Sequence, residues 1–176
     1  MFKKMVILLA LGALMTGCVS APPTNFSVPN VQQAKAKQAF DLRAVSISYG
    51  LPNEIKGEIP TYGEGFPVLW EKSLTEAINK AGIFTDDADE KVNIFVKILQ
   101  LDPPAGGITM LTPSRARYSI VSRRTGKTLF EKEIYTEGSV SGGYAFSGLV
   151  RAKEALNRSV QQNIAEFIES LSAVKL

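Results

Sequence analysis

The chain of 176 residues contains one cysteine, Cys18, and no histidine. Those two counts remove histidine-based chemistry at the outset and leave carboxylates, lysine or serine as the groups through which an enzyme would have to work. Without histidine there is no Ser-His-Asp triad, no imidazole base and no imidazole metal ligand. A lone cysteine cannot close an internal disulfide. Four other stretches have residue types that could do chemistry. Thr125-Gly126-Lys127-Thr128 imitates the tail of a phosphate-binding P-loop, but Val121 stands where that loop has its first glycine, and a strand pattern follows where it needs a helix. Residues 138–148, GSVSGGYAFSG, precede a helical pattern and could offer backbone amides to a phosphate. They lack the G-x-G-x-x-G fingerprint and the spacing of a nucleophile elbow. A flexible connector is the plain reading; a binding loop displaying Tyr144 and Phe146 is the functional one.

Residues 86–90, DDADE, gather four carboxylates but lack the alternation, the glycine and the twelfth-position glutamate of a calcium loop. They read as a solvated turn, so neither a metal nor a cofactor is expected. Arg115, Arg117, Arg123 and Arg124 form the densest basic group. Glu131 and Glu133 on a neighbouring strand would neutralise much of it. The functional reading is a patch for an anionic lipid, a glycan or an acidic protein surface. Arg115, Arg117, Arg123, Tyr144 and Phe146 are therefore the candidate binding residues.

Cys18 has a more specific context. Lys3 and Lys4 precede an apolar run, residues 5–15, MVILLALGALM, and small residues follow it. At about 11 residues the run is too short for a transmembrane helix, which needs about 20. A basic start, a short apolar core and a small-residue exit describe a secretory signal peptide. Met15-Thr16-Gly17-Cys18 resembles the lipobox of bacterial lipoproteins, with Met15 where that family usually has leucine. The resemblance implies cleavage between Gly17 and Cys18, a diacylglycerol on the sulfur and an acyl chain such as palmitate on the new amino group. Val19 is not the aspartate that retains such lipoproteins in the inner membrane, which implies sorting to the outer membrane. An ordinary signal-peptidase cut after Val19-Ser20-Ala21 is the alternative, although Pro22 after the scissile bond disfavours it.

Removing Lys3 and Lys4 from the 20 basic residues leaves 18 against 17 acidic ones. A nearly neutral chain with no polybasic block has no general electrostatic attraction to nucleic acid. Hydrophobic content of 45% is ordinary for a globular chain. Residues 1–17 read as signal peptide and residues 18–38 as the lipidated cysteine with a flexible, proline-containing linker. Residues 39–176 read as one α+β periplasmic domain, large enough to fold without disulfide or metal.

Within that domain, residues 39–51 alternate in a way that needs a bulge near Ala44. Residues 66–81 carry the apolar stripe Phe66, Leu69, Trp70, Leu74, Ala77, Ile78 and Ala81, with Pro67 at the start and Gly82 past the end. Residues 92–101 read as a central strand, with Phe95, Leu99 and Leu101 opposite Val92, Ile94, Val96 and Ile98. Residues 114–138 read as a hairpin turning at Arg124-Thr125-Gly126, with Gly126 left-handed, Ile120 opposite Phe130 and Arg117 opposite Glu133. A two-residue turn would instead pair Ile120 with Glu131 and break the pattern. The last helix places Leu149, Ala152, Leu156, Val160, Ile164, Phe167 and Leu171 on one face.

The order β-α-β-β-β-α predicts a two-layer sandwich, a mainly antiparallel sheet of about four strands with two helices on one face. It is similar to that of small outer-membrane assembly lipoproteins, including the lipopolysaccharide-assembly family. The expected function is non-enzymatic: a protein anchored in the outer membrane by its lipid, facing the periplasm and binding another envelope protein. The alternative is a binder of lipid, glycan or a small ligand between helices and sheet. Few polar residues fall on the expected core faces, which disfavours it.

Overall fold

The computed structural model describes residue 21 and residues 23–176, so Gly17, Cys18 and the rest of the export signal lie outside the described residues. The expected order is the observed one: β1 (Asp41–Tyr49), α1 (Phe66–Ala81), β2 (Lys91–Leu101), β3 (Met110–Ser122), β4 (Thr128–Val140) and α2 (Gly148–Ser172). The strands form one sheet in the order β1-β2-β3-β4. β1 and β2 run parallel, bridged by α1, and the other pairs are antiparallel. Both helices cover the same face of the sheet.

Local chemistry explains the boundaries. Pro67 supplies the fixed φ of a first helical turn, and Gly82 closes α1 in the left-handed region at φ 61° while its amide bonds Ile78 and Asn79 carbonyls. The stripe on α1 buries Phe66, Trp70, Leu74, Ala77, Ile78 and Ala81. Each large side chain so buried contributes about 1.5–3 kcal/mol. The bulge in β1 falls between Leu42 and Ala44. Gly126, at φ 70°, ends the hairpin turn, but the turn has four residues, 123–126, and not the expected three: the Ser122 amide donates to the Lys127 carbonyl, and a register shift between Ile120 and Val121 takes up the extra residue, so Ile120 still faces Phe130 and Arg117 still faces Glu133. The P-loop-like tetrapeptide is thus part of a turn.

Three further expectations differ from the structure. Leu101 belongs to the core with Val92, Ile94, Val96 and Ile98, because a second bulge between Ile98 and Gln100 reverses the alternation. Leu149 is exposed and Val150 is buried in its place on α2. Gly138 lies inside β4 rather than at the start of a loop. Its missing side chain lets α2 approach the sheet: a Cβ there would collide with the Ala155 carbonyl and the Ser159 amide.

The largest correction concerns the linker. Phe26 and Val28 are buried in the core, and Phe26 packs edge-on against Phe66 and Trp70 at 5.8 and 6.2 Å. The Asn25 amide donates to Asn157 Oδ1 at 2.9 Å, Ser27 Oγ donates to Glu76, and the Ala34 amide donates to the Ala81 carbonyl. Gln38 pairs beside Phe84 and its Nε2 donates to the Val174 carbonyl. Residues 25–38 therefore form a strap that crosses both helices from their early turns to their ends. Two apolar side chains, buried completely or nearly so, hold it where its proline-rich composition suggests free chain.

The topology gives the domain two ends. The first turns of both helices, the 50–65 and 102–109 loops and residues 141–147 gather at one. The 123–127 turn and the last turns of the helices lie at the other.

Candidate functional site

The candidate residues fall into two places. Arg115 and Arg117 stand on β3, facing away from the helices, in the alternation that buries Ser114, Ala116 and Tyr118 on the other side. Arg115 donates to Glu133 at 3.1 Å and stacks its guanidinium over Tyr135. Arg117 donates to Glu54 at 3.0 Å and lies 3.7 Å from Glu133. Two lysines that sequence reading missed complete the group. Lys56 Nζ meets both Glu133 oxygens at 2.7 and 2.8 Å, and Lys97 Nζ meets Glu54 at 2.7 Å.

Glu54 and Lys56 come from the loop after β1, so the lattice ties that loop to the open sheet face. Hydrogen bonds from Lys97 and from the Leu51 amide are the main causes that hold the Glu54 carboxyl down at about 2. Lys56 and Arg115 likewise lower Glu133 below the usual carboxylate range. Four cations share these two carboxylates, and Glu131 and Glu137 stand exposed on the same face of β4 and balance much of the local excess. Glu131 takes a hydrogen bond from Ser119 instead. Arg123 is exposed beside the hairpin turn, and Arg124 pairs with Glu90 at 2.7 Å.

Tyr144 and Phe146 are not part of this lattice. They sit between β4 and α2, where Phe146 is fully exposed. Arginines of α2 shape that loop: Arg151 donates to the Ala145, Phe146 and Gly107 carbonyls, and Arg158 lies over the Tyr144 ring at 5.2 Å. Ile108 reaches the same loop beside Gly142.

The core face holds more polar groups than the sequence suggests. Trp70 Nε1 donates to Tyr118 Oη at 3.3 Å, and Tyr118 donates to Asn163 Oδ1 at 2.8 Å. Asn163 Nδ2 donates to the Ile134 carbonyl and Thr136 Oγ1. Ser114, Thr136 and Ser159 close the chain among themselves. Burial pushes the Tyr118 phenol far above its ordinary range, so it stays a neutral donor. Each of these partners answers another, which makes the chain a packing device rather than a ligand site. A cleft of about 420 Å³ lies elsewhere, between the strap and the end of α2, lined by Val28, Val31, Gln33, Ala165, Ile168 and Ala173. Among the described residues no three His, Cys, Asp or Glu side chains gather as a metal site, and no helix is long and apolar enough to cross a membrane.

No protein-family model matches the sequence, and no curated protein does. Solved structures share the fold. A Xanthomonas campestris protein of the DUF330 family superposes with a TM-score of 0.55 at 13% identity, over 83% of this chain and 90% of that one. A Caulobacter crescentus protein described as a candidate lipoprotein gives 0.46 at 6% identity, over 77% and 88%. A minor lipoprotein of Acinetobacter baumannii gives 0.44 at 12% identity, over 74% and 92%. The Xanthomonas likeness is one of fold.

Proposed function

We propose that this chain is a non-enzymatic lipoprotein of the bacterial outer membrane, anchored through Cys18, whose domain binds another envelope protein in the periplasm. The observation that carries the reading is the single cysteine of the chain standing in Met15-Thr16-Gly17-Cys18, directly after a basic start and a short apolar run. A diacylglycerol and an amide-linked acyl chain hold such a protein on a bilayer effectively permanently, whereas one chain alone binds only marginally. The surface offered to the partner is the open sheet face. There the lattice around Glu54 and Glu133 holds four cations in fixed places by short bonds. Such a surface fits an acidic protein patch.

The test is a gentle-detergent pull-down of the lipidated protein from its own envelope, beside an Arg115→Ala/Arg117→Ala variant. A stoichiometric partner lost in the variant supports the reading. Recovery of the protein alone would favour the second reading, a small-ligand binder, for which the cleft at Val28 and Ile168 has a suitable volume.

A further inference from the structure

Exposed apolar side chains are unevenly spread. Of the twelve large hydrophobic residues with exposed side chains among the described residues, eight belong to the end where the helices begin. Leu51, Tyr62 and Val68 lie in and after the first loop, and Ile108, Leu111, Tyr144, Phe146 and Leu149 lie around the 102–109 and 141–147 loops. Ile108 is 82% exposed and Leu149 61%. The loops that present them are not slack. Arg151 bonds three of their carbonyls, and Met110, Val140 and Ala155 form a small core beneath them.

The strap says what lies beside this end. It runs along the helices, and its first contacts, the Pro23 carbonyl and the Asn25 amide on Asn157, are in the third turn of α2. The strap therefore begins beside the third turn of α2 and, through Phe26 on Phe66, the first turn of α1. Seven Cα-to-Cα steps separate Asn25 from Cys18, a reach of at most about 25 Å, where a free linker from residue 19 would allow roughly 65 Å.

We propose that the end bearing Ile108, Phe146 and Leu149 rests in the surface of the bilayer that holds the acylated N-terminus, making a second, non-covalent membrane contact. This rests on the lipoprotein reading above. Apolar side chains on a polar rim, drawn to an interface by a short tether, need little affinity of their own, because the effective concentration is high. The hairpin turn, about 40 Å away along β3, then points into the periplasm.

The test uses the acylated Cys18, which leaves no free thiol. Phe146→Cys and, at the far end, Thr125→Cys are labelled with a polarity-sensitive dye on the full lipidated protein. Each is reconstituted into phosphatidylethanolamine–phosphatidylglycerol vesicles carrying nitroxide lipid. The expected result is co-flotation of both, with blue-shifted emission and several-fold stronger quenching at position 146 than at 125. Co-flotation with equal, water-like signals overturns this proposal and leaves the anchor standing. Failure to float overturns the anchor and this contact with it. Water-like emission in vesicles but shielding in native envelopes would assign the end to a protein partner and likewise overturn the bilayer contact.

Discussion

On the helix-covered face of the sheet, Asn163, Thr136, Ser114 and Ser159 bond one another in the buried or partly buried layer under α2; on the open face, Glu54 and Glu133 each hold cations at the edge of water. The two faces use similar numbers of polar groups to different ends. A buried donor or acceptor left alone costs its full desolvation, so the inner chain fixes one packing of α2 on β3 and β4. Half-exposed ion pairs are worth little, so the outer lattice adds little stability while keeping its charges in fixed places. The inner face holds the fold, and the outer face is the one proposed for recognition.

That contrast can be broken most directly at the strap. Phe26→Ala should cost about 3–5 kcal/mol, the range of a buried aromatic truncation, read as a loss of urea midpoint; a change near zero would return residues 18–38 to a free linker. Asn163→Ala should cost about 1–3 kcal/mol, because Tyr118 and Thr136 lose a partner in the interior. On the outer face, Arg115→Ala should cost no more than about 1 kcal/mol by the same measurement. If it cost as much as Asn163→Ala, the division between the faces would fail.

The smallest expected effect is in acid. Glu54 is held at about 2 against an ordinary value near 4.5, and Glu133 is lowered too. Depressed carboxyls give stability that is present above their unfolded pKa and lost as pH falls through the folded one. Urea midpoints should therefore decline modestly from about pH 4.5 toward pH 2, and Glu54→Gln should flatten that decline. A stability that rises over the same interval would mean the carboxylates are not held by their cations.

Much of this was legible beforehand, for local reasons. The hairpin register follows from Gly126 and two alternating strands, so Arg117 could be set opposite Glu133 from sequence. α1 follows from its stripe, Pro67 and Gly82. What escaped depends on parts of the chain that meet only in space. Phe26 and Val28 are two apolar residues among prolines, and nothing local marks the groove that takes them. The chain from Trp70 to Ser159 draws on four elements, each donating one or two ordinary polar residues. The bulge at Ile98 sent Leu101 to the other face without any glycine to announce it. Lys56 joins the basic patch only because the loop after β1 folds over the sheet, and Lys97 because the β2-β3 register sets it beside Arg117.

The central claim is the acylated cysteine, and the intact mass of the protein extracted in detergent from its native envelope tests it most directly. The expected species begins at Cys18 and carries a diacylglycerol and an amide-linked acyl group. A chain beginning at Pro22, or one retaining residues 1–17 with a free thiol, would contradict it.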